Sequence, residues 1–204
     1  MFIHGRERRS IPSMRVIAGR ARRLPLKAPS GKVTRPILDR VKVDLFNILG
    51  QGFDGCDVLD LYCGAGSLGI ETISREASSC TFVDATYECI ETLRQNLGRT
   101  RTADRARVIH LEADKAIRKL LGEGARFDLI FVDPPFAITQ GLKPGAPITE
   151  LFSRASGLFK EAGRLVLRRE ADGEPPELLG GLKRVRWKNI GRNQIAIYVQ
   201  APVF

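Results

Sequence analysis

No run in this 204-residue chain approaches the roughly 20 apolar residues of a membrane helix. Arg6, Arg8 and Arg9 are followed by no apolar segment, so the secretory-signal pattern is missing as well, although an amphipathic organelle transit peptide stays open. The four cysteines, Cys56, Cys63, Cys80 and Cys89, contain no CxxC pair. That disfavours a zinc or redox centre and predicts buried free thiols, no metal and a reducing, cytoplasmic setting. Only two histidines occur, His4 in the N-terminal tail and His110 at a strand end, where a structural role is favoured.

Acids are scarce in one place. Residues 1–42 hold twelve Lys or Arg against Glu7 and Asp39, whereas the rest of the chain is balanced at 21 basic and 21 acidic residues. The net charge of +10 therefore resides entirely in the front segment. A balanced body with a basic arm is the electrostatic footprint of a protein that meets a polyanion, most often nucleic acid. Length and a hydrophobic content of 43% predict one main α/β domain with a full core.

Residues 1–13 read as a flexible basic tail interrupted by Pro12, with Met14 an alternative start. Residues 14–33 predict a small basic β-hairpin from MRVIAG and RRLPLKAP, with Pro25 placing its second arm at an edge; as a flap ahead of the domain it could touch RNA. The main domain, 34–204, opens with the breaker TRP and a helix over about 39–49, with Asp39 as N-cap and Gly50 as stop. Strands at 57–62, 80–84, 106–114, 127–132 and about 163–170 alternate with helical patterns, one of them through about 148–160. Two last runs, LKRVRWKNI and NQIAIYVQ, read as a hairpin turning at Gly191-Arg192. The alternation predicts a Rossmann-like, mostly parallel seven-stranded sheet with helices on both faces and a C-terminal antiparallel hairpin.

FDLIFVDPPF, residues 127–136, is the chemical centre of the sequence. An apolar strand buried on both faces ends at Asp133, because Pro134 and Pro135 cannot continue a ladder. A carboxylate, a carbonyl fixed in direction by the prolines and the ring of Phe136 thus meet at the carboxyl end of a strand, where open α/β sheets hold ligands. Such a cluster can grip a planar group bearing an NH2. Gly64, Gly66 and Gly69 form GxGxxG between a strand and a helix, with Asp84 at the end of the next strand, a pattern that suits an adenosine-containing cofactor. Asp60, Asp84, Asp114 and Asp133 line successive strand ends, which favours a cationic sulfonium over the pyrophosphate of NAD.

DLYCGAGSLGIE (60–71), Asp84, the EAD at 112–114 and DPPF at 133–136 resemble motifs of the class I S-adenosylmethionine-dependent methyltransferases, DPPF in particular those acting on exocyclic amines of bases. MRVIAGRARRLPLKAP followed by TRPILDRVKVDLFNIL is similar to the opening of the RsmD-type small-subunit (16S) ribosomal RNA guanine-N2 methyltransferases. The resemblance runs from about Met14 to the end, with Ile37-Leu38 where threonines are common and Asp44 in place of a glutamate. It implies transfer of a methyl group from S-adenosylmethionine to guanine N2, in rRNA of the 30S subunit or an assembly intermediate, by a monomeric enzyme. It also implies a cofactor site of Asp60, Tyr62, Gly64, Ala65, Gly66, Ser67, Gly69, Asp84, Ala85, Asp114 and Asp133, catalysis at Asp133, Pro134, Pro135 and Phe136, and RNA contacts from Arg15, Arg20, Arg22, Arg23, Arg35 and Arg40, with the cofactor carboxylate an alternative partner for Arg35 and Arg40. A DNA or RNA adenine-N6 methyltransferase would use the same DPPF logic. A non-catalytic RNA-binding assembly factor on the same scaffold is the alternative outside enzymology, and an NAD-dependent oxidoreductase fits least.

Overall fold

The computed structural model describes residues 14–29, 39–50, 52–140, 142 and 147–201. The expected tail 1–13, Arg35 and residues 30–33 of the expected hairpin lie outside these described residues. Helix α1 (Asp39–Leu49) precedes β1 (Asp57–Leu61), α2 (Ser67–Ser74), β2 (Ser79–Asp84), α3 (Tyr87–Thr100), β3 (Ala106–His110), α4 (Ala113–Gly122), β4 (Phe127–Val132), the short α5 (Phe136–Thr139), α6 (Pro147–Ser156) and β5 (Phe159–Glu170). The chain ends with β6 (Leu178–Leu179), β7 (Leu182–Ile190) and β8 (Asn193–Gln200).

All eight strands form one sheet in the order β3-β2-β1-β4-β5-β8-β7-β6. The first five are parallel and β6, β7 and β8 pair antiparallel, which makes the sheet eight-stranded rather than seven-stranded. The additional β6 is a two-residue strand at the edge, too short to leave a periodic signal. β4 explains why its sequence is continuously apolar. Leu129 and Phe131 face a core shared with α1, α2 and α3, while Ile130 and Val132 face one shared with α4 and α6. Each such side chain withdrawn from water contributes about 1.5–3 kcal/mol.

Three boundaries differ from the sequence expectation. β3 stops at His110, so Asp114 stands in the first turn of α4 rather than at a strand end. Helix α6 stops at Ser156, where the N–H of Gly157 bonds back to the Arg154 carbonyl at 3.1 Å. β5 begins at Phe159, earlier than expected, because the polar KEAG at 160–163 is an irregularity in its pairing with β4 and hides the strand pattern.

The basic segment 14–29 is not a flap standing ahead of the domain. Its hairpin is reduced to one antiparallel bridge, Arg15 to Pro25, around a turn with Gly19 at φ 80° and Arg23 at φ 70°. Met14, Val16, Ala21 and Leu26 are buried in the core against α1, α2 and α3. A Cβ on Gly19 would meet the Ser74 carbonyl oxygen at 1.7 Å, so only glycine lets the arm lie this close to α2. Glu71 then accepts the N–H groups of Ile17 (2.8 Å) and Ala18 (2.9 Å), and Asn96 exchanges hydrogen bonds with the backbone of Lys27 (2.8 and 3.0 Å).

Candidate active site

The site assembles where β1, β2, β4 and β5 end. Parallel register pairs Leu61 with both Val83 and Val132, which brings Tyr62, Asp84 and Asp133 to one level along the edge. The next pairing, Val132 with Leu167, sets Asp133 beside Arg168 on β5. A cleft of about 580 Å³ opens at this edge, lined by Tyr62, Asp84, Ala85 and Asp114 among others, with Ile148, Leu151 and Arg154 supplied by α6.

The glycine loop is built by carboxylates. Gly64 (φ 53°) and Gly66 (φ 82°) make the left-handed turns that carry the chain from β1 into α2. Asp84 accepts the Gly64 N–H through Oδ2 and the Thr86 N–H through Oδ1, each at 2.8 Å. Asp60 Oδ2 accepts the Gly69 N–H at 2.9 Å. These two amides thus point at protein oxygens. Gly69 itself serves packing, since a Cβ there would lie 2.3 Å from the Phe82 ring and 2.5 Å from Cys80 Sγ. Ala65 and Ser67 are buried in the same loop, where the Ala65 carbonyl accepts from Asn96 (3.0 Å) and the Ser67 hydroxyl from Lys42 (3.2 Å).

Asp60 is the most perturbed acid of the group. It is 1% exposed and its Oδ1 has no hydrogen-bond partner. Burial pushes its carboxyl up to about 8 against the Gly69 N–H, with the charges of Asp133 and Asp84 adding to the rise. Asp133 is also raised by burial, and the Arg168 guanidinium pulls it part of the way back. At Asp114 burial works upward, but hydrogen bonds from Arg154 and Arg118 outweigh it and hold the carboxyl below its ordinary range.

Around Asp133, Pro134 is buried, Pro135 is exposed and Phe136 opens α5. Arg168 donates from Nε to Asp133 Oδ1 at 2.5 Å and from Nη1 to Asn193 Oδ1 at 2.8 Å, and its guanidinium lies 5.3 Å from the centre of the Phe136 ring. The sequence reading leaves Arg168 out; its signal is the abrupt RRE at the end of the otherwise apolar LVL. Glu71 is likewise given no role by sequence, although GxGxxG is followed at once by Ile70-Glu71. Fully buried, it pairs with Lys42 (3.1 Å) and Arg75 (3.0 Å).

Of the arginines expected at RNA, Arg15 pairs with Asp39 at 2.8 Å and Arg20 with Glu76 at 2.5 Å, while Arg22, Arg23 and Arg40 are exposed. The four cysteines are free and three of them are buried, with burial raising the thiols of Cys63 and Cys80. Among the described residues no helix is long and apolar enough to cross a membrane.

A family model described as "Conserved hypothetical protein 95" matches residues 14–199. "Putative rRNA methyltransferase YlbH" of Bacillus subtilis is 36% identical over 185 residues, covering 91% of this chain and 98% of that protein. "Ribosomal RNA small subunit methyltransferase D" of Escherichia coli is 35% identical over 123 residues, 60% of each chain. The chain belongs to the RsmD-type methyltransferase family. Among solved structures, "Putative methyltransferase yhhF" from Escherichia coli superposes with a TM-score of 0.73 at 29% identity, over 91% of this chain and 97% of the other. The family match spans both the basic arm and most of the C-terminal hairpin of this chain.

Proposed function

We infer that this RsmD-type enzyme transfers a methyl group from S-adenosylmethionine to the exocyclic N2 of a guanine in small-subunit rRNA. The observation that carries the reading is the DPPF turn at the end of β4, with Asp133, the Pro134 carbonyl and Phe136 beside a cleft lined by Tyr62, Asp84, Ala85 and Asp114. When bound, S-adenosylmethionine supplies an electrophilic methyl group on a positively charged sulfur. The unpartnered Oδ1 of Asp60 and the acids around it suit that cation, and Asp84 keeps lone pairs beyond its two backbone partners for ribose hydroxyls. Asp114 and Tyr62 line the wall of the cleft suited to the adenine ring.

Guanine N2 is a poor nucleophile because its lone pair is delocalised into the ring. Asp133 and the Pro134 carbonyl accept its two N–H bonds and draw the nitrogen toward tetrahedral geometry, and Phe136 stacks on the base. No strong general base is needed, since the N–H becomes acidic as the nitrogen is alkylated. The base leaves its stack to reach this edge.

The raised Asp60 sets a pH dependence. A cation favours its charged form, so binding S-adenosylmethionine releases a proton below about pH 8, and affinity rises with pH toward that value and then levels. Calorimetry in buffers of different ionisation enthalpy counts the proton. D60N is expected to abolish its release, and a wild-type enzyme that releases none removes Asp60 from the cofactor site.

The exposed arginines Arg22, Arg23 and Arg40 test the RNA surface better than deleting the arm, because Met14, Val16, Ala21 and Leu26 are core residues. Replacing the three with glutamine is expected to lower the slope of log affinity against log salt by about two, at about 0.7 per phosphate contact on single-stranded RNA. An unchanged slope in a filter-binding titration places the RNA elsewhere.

A further inference from the structure

The Asp133–Arg168 pair has a polarity that the methyl-transfer chemistry alone does not use. Arg168 is fixed on two sides, by Asp133 Oδ1 at Nε and by Asn193 at Nη1. In the planar fork of a guanidinium, the N–H groups of Nε and Nη2 point along the same side. With Nε committed to Asp133, Nη2 projects beside the carboxylate. Acceptor oxygens of Asp133 and a donor N–H of Arg168 are therefore neighbours at this edge of the site.

Guanine presents a complementary set on its Watson–Crick edge, with N2–H and N1–H as donors beside O6 as an acceptor. Adenine presents N6–H, then the lone pair of N1, then a carbon-bound hydrogen, which would set N1 against a carboxylate oxygen and leave the arginine without a partner. Building on the assignment of guanine N2 as the acceptor of the methyl group, we propose that Arg168 reads O6 of the target guanine and, with Asp133, selects guanine over adenine. Arg168 is 13% and Asp133 14% exposed at the side chain, so the pair is shielded yet not sealed from solvent. A base docking there also meets Phe136, over which the same guanidinium lies.

The test compares rRNA carrying guanine or 6-thioguanine at the methylated position, in whichever form, naked or in reconstituted 30S particles, the full-length enzyme modifies. Thioguanine keeps N1–H and N2 and replaces only O6 with a weaker acceptor. Wild-type enzyme is expected to favour guanine by on the order of tenfold or more in kcat/KM. R168M is expected to modify both RNAs at the same reduced rate. R168K keeps a charge beside Asp133 but loses the fork, and is expected to lose the preference too; it carries the test if R168M melts early. Variants that slow both RNAs by one factor and keep the wild-type preference overturn the proposal and leave Arg168 a positioning residue for Asp133. Mass spectrometry of the wild-type product separates the premise from the inference. A methyl group found on any atom but guanine N2 removes both, whereas N2-methylguanosine formed without preference for O6 removes only the reading by Arg168.

Discussion

Asp133→Ala is expected to lower single-turnover methyl transfer by at least about a hundredfold, the scale of losing one preorganised hydrogen-bonding group at a reacting atom. Cofactor affinity should change little, because the loop that forms the cofactor side is built by Asp60 and Asp84 through their own bonds to Gly69, Gly64 and Thr86. Asp133→Asn is the informative partner. It keeps an acceptor oxygen for the amine but leaves Arg168 beside a neutral amide. Aspartate as an aligner of the nucleophile predicts that Asp133→Asn retains far more activity than Asp133→Ala. Equal loss in both variants would mean that the negative charge itself, or its capacity to take a proton, is what the reaction needs. Quenched-flow measurement of labelled methyl incorporation, beside calorimetric titration with the cofactor, distinguishes the two.

The second large effect concerns stability. Glu71 is completely buried and its two oxygens serve four groups: the N–H of Ile17 and of Ala18, Lys42 and Arg75. Lys42 is itself buried, and burial lowers its pKa against the opposing pull of Glu71. Removing the carboxylate in Glu71→Ala strands a buried lysine and two backbone donors. The expected cost is about 3–5 kcal/mol, the usual penalty for breaking a buried pair from one side. For a chain of this size that lowers the melting temperature by on the order of 10 °C. Limited trypsin digestion should then cut at Arg20, Arg22 or Arg23 before the rest of the domain, since the arm loses its anchor. A melting temperature within a degree or two of wild type would show that Lys42 and Arg75 find other partners. The corresponding double variant in which Lys42 is replaced by methionine should recover part of the loss, because it removes the orphaned charge.

The sheet was legible because its strands carry buried runs of one kind and its turns carry glycine or proline at the carboxyl ends. The continuous apolar run of β4, buried on both faces, and the Gly64–Gly69 loop needed no tertiary information. Asp114 moved from a strand end into α4 because a four-residue extension of an apolar strand and the first turn of a helix look alike when both are followed by KAI. The arm was harder. Its residues read as a solvated basic hairpin, and only the long-range bonds to Glu71, Ser74 and Asn96 turn it inward. Arg168 escaped for a related reason: its meaning depends on the β4–β5 register, which one strand's sequence does not contain. Residues whose role is local were therefore found, and residues whose role is to meet something across the sheet were not.

The docking of the arm also constrains how the protein is made. Its buried backbone groups are satisfied by α2 and α3, at sequence separations of 53 to 69 residues. The arm leaves the ribosome ahead of the helices that hold it, so its contacts close large loops and carry the entropy cost of doing so. The β1–α2–β2–α3 unit must come together before Met14, Val16 and Leu26 have a surface to cover. The arm is thus made before the helices that hold it but settles after them, and a growing chain carries this basic segment in the open for that interval.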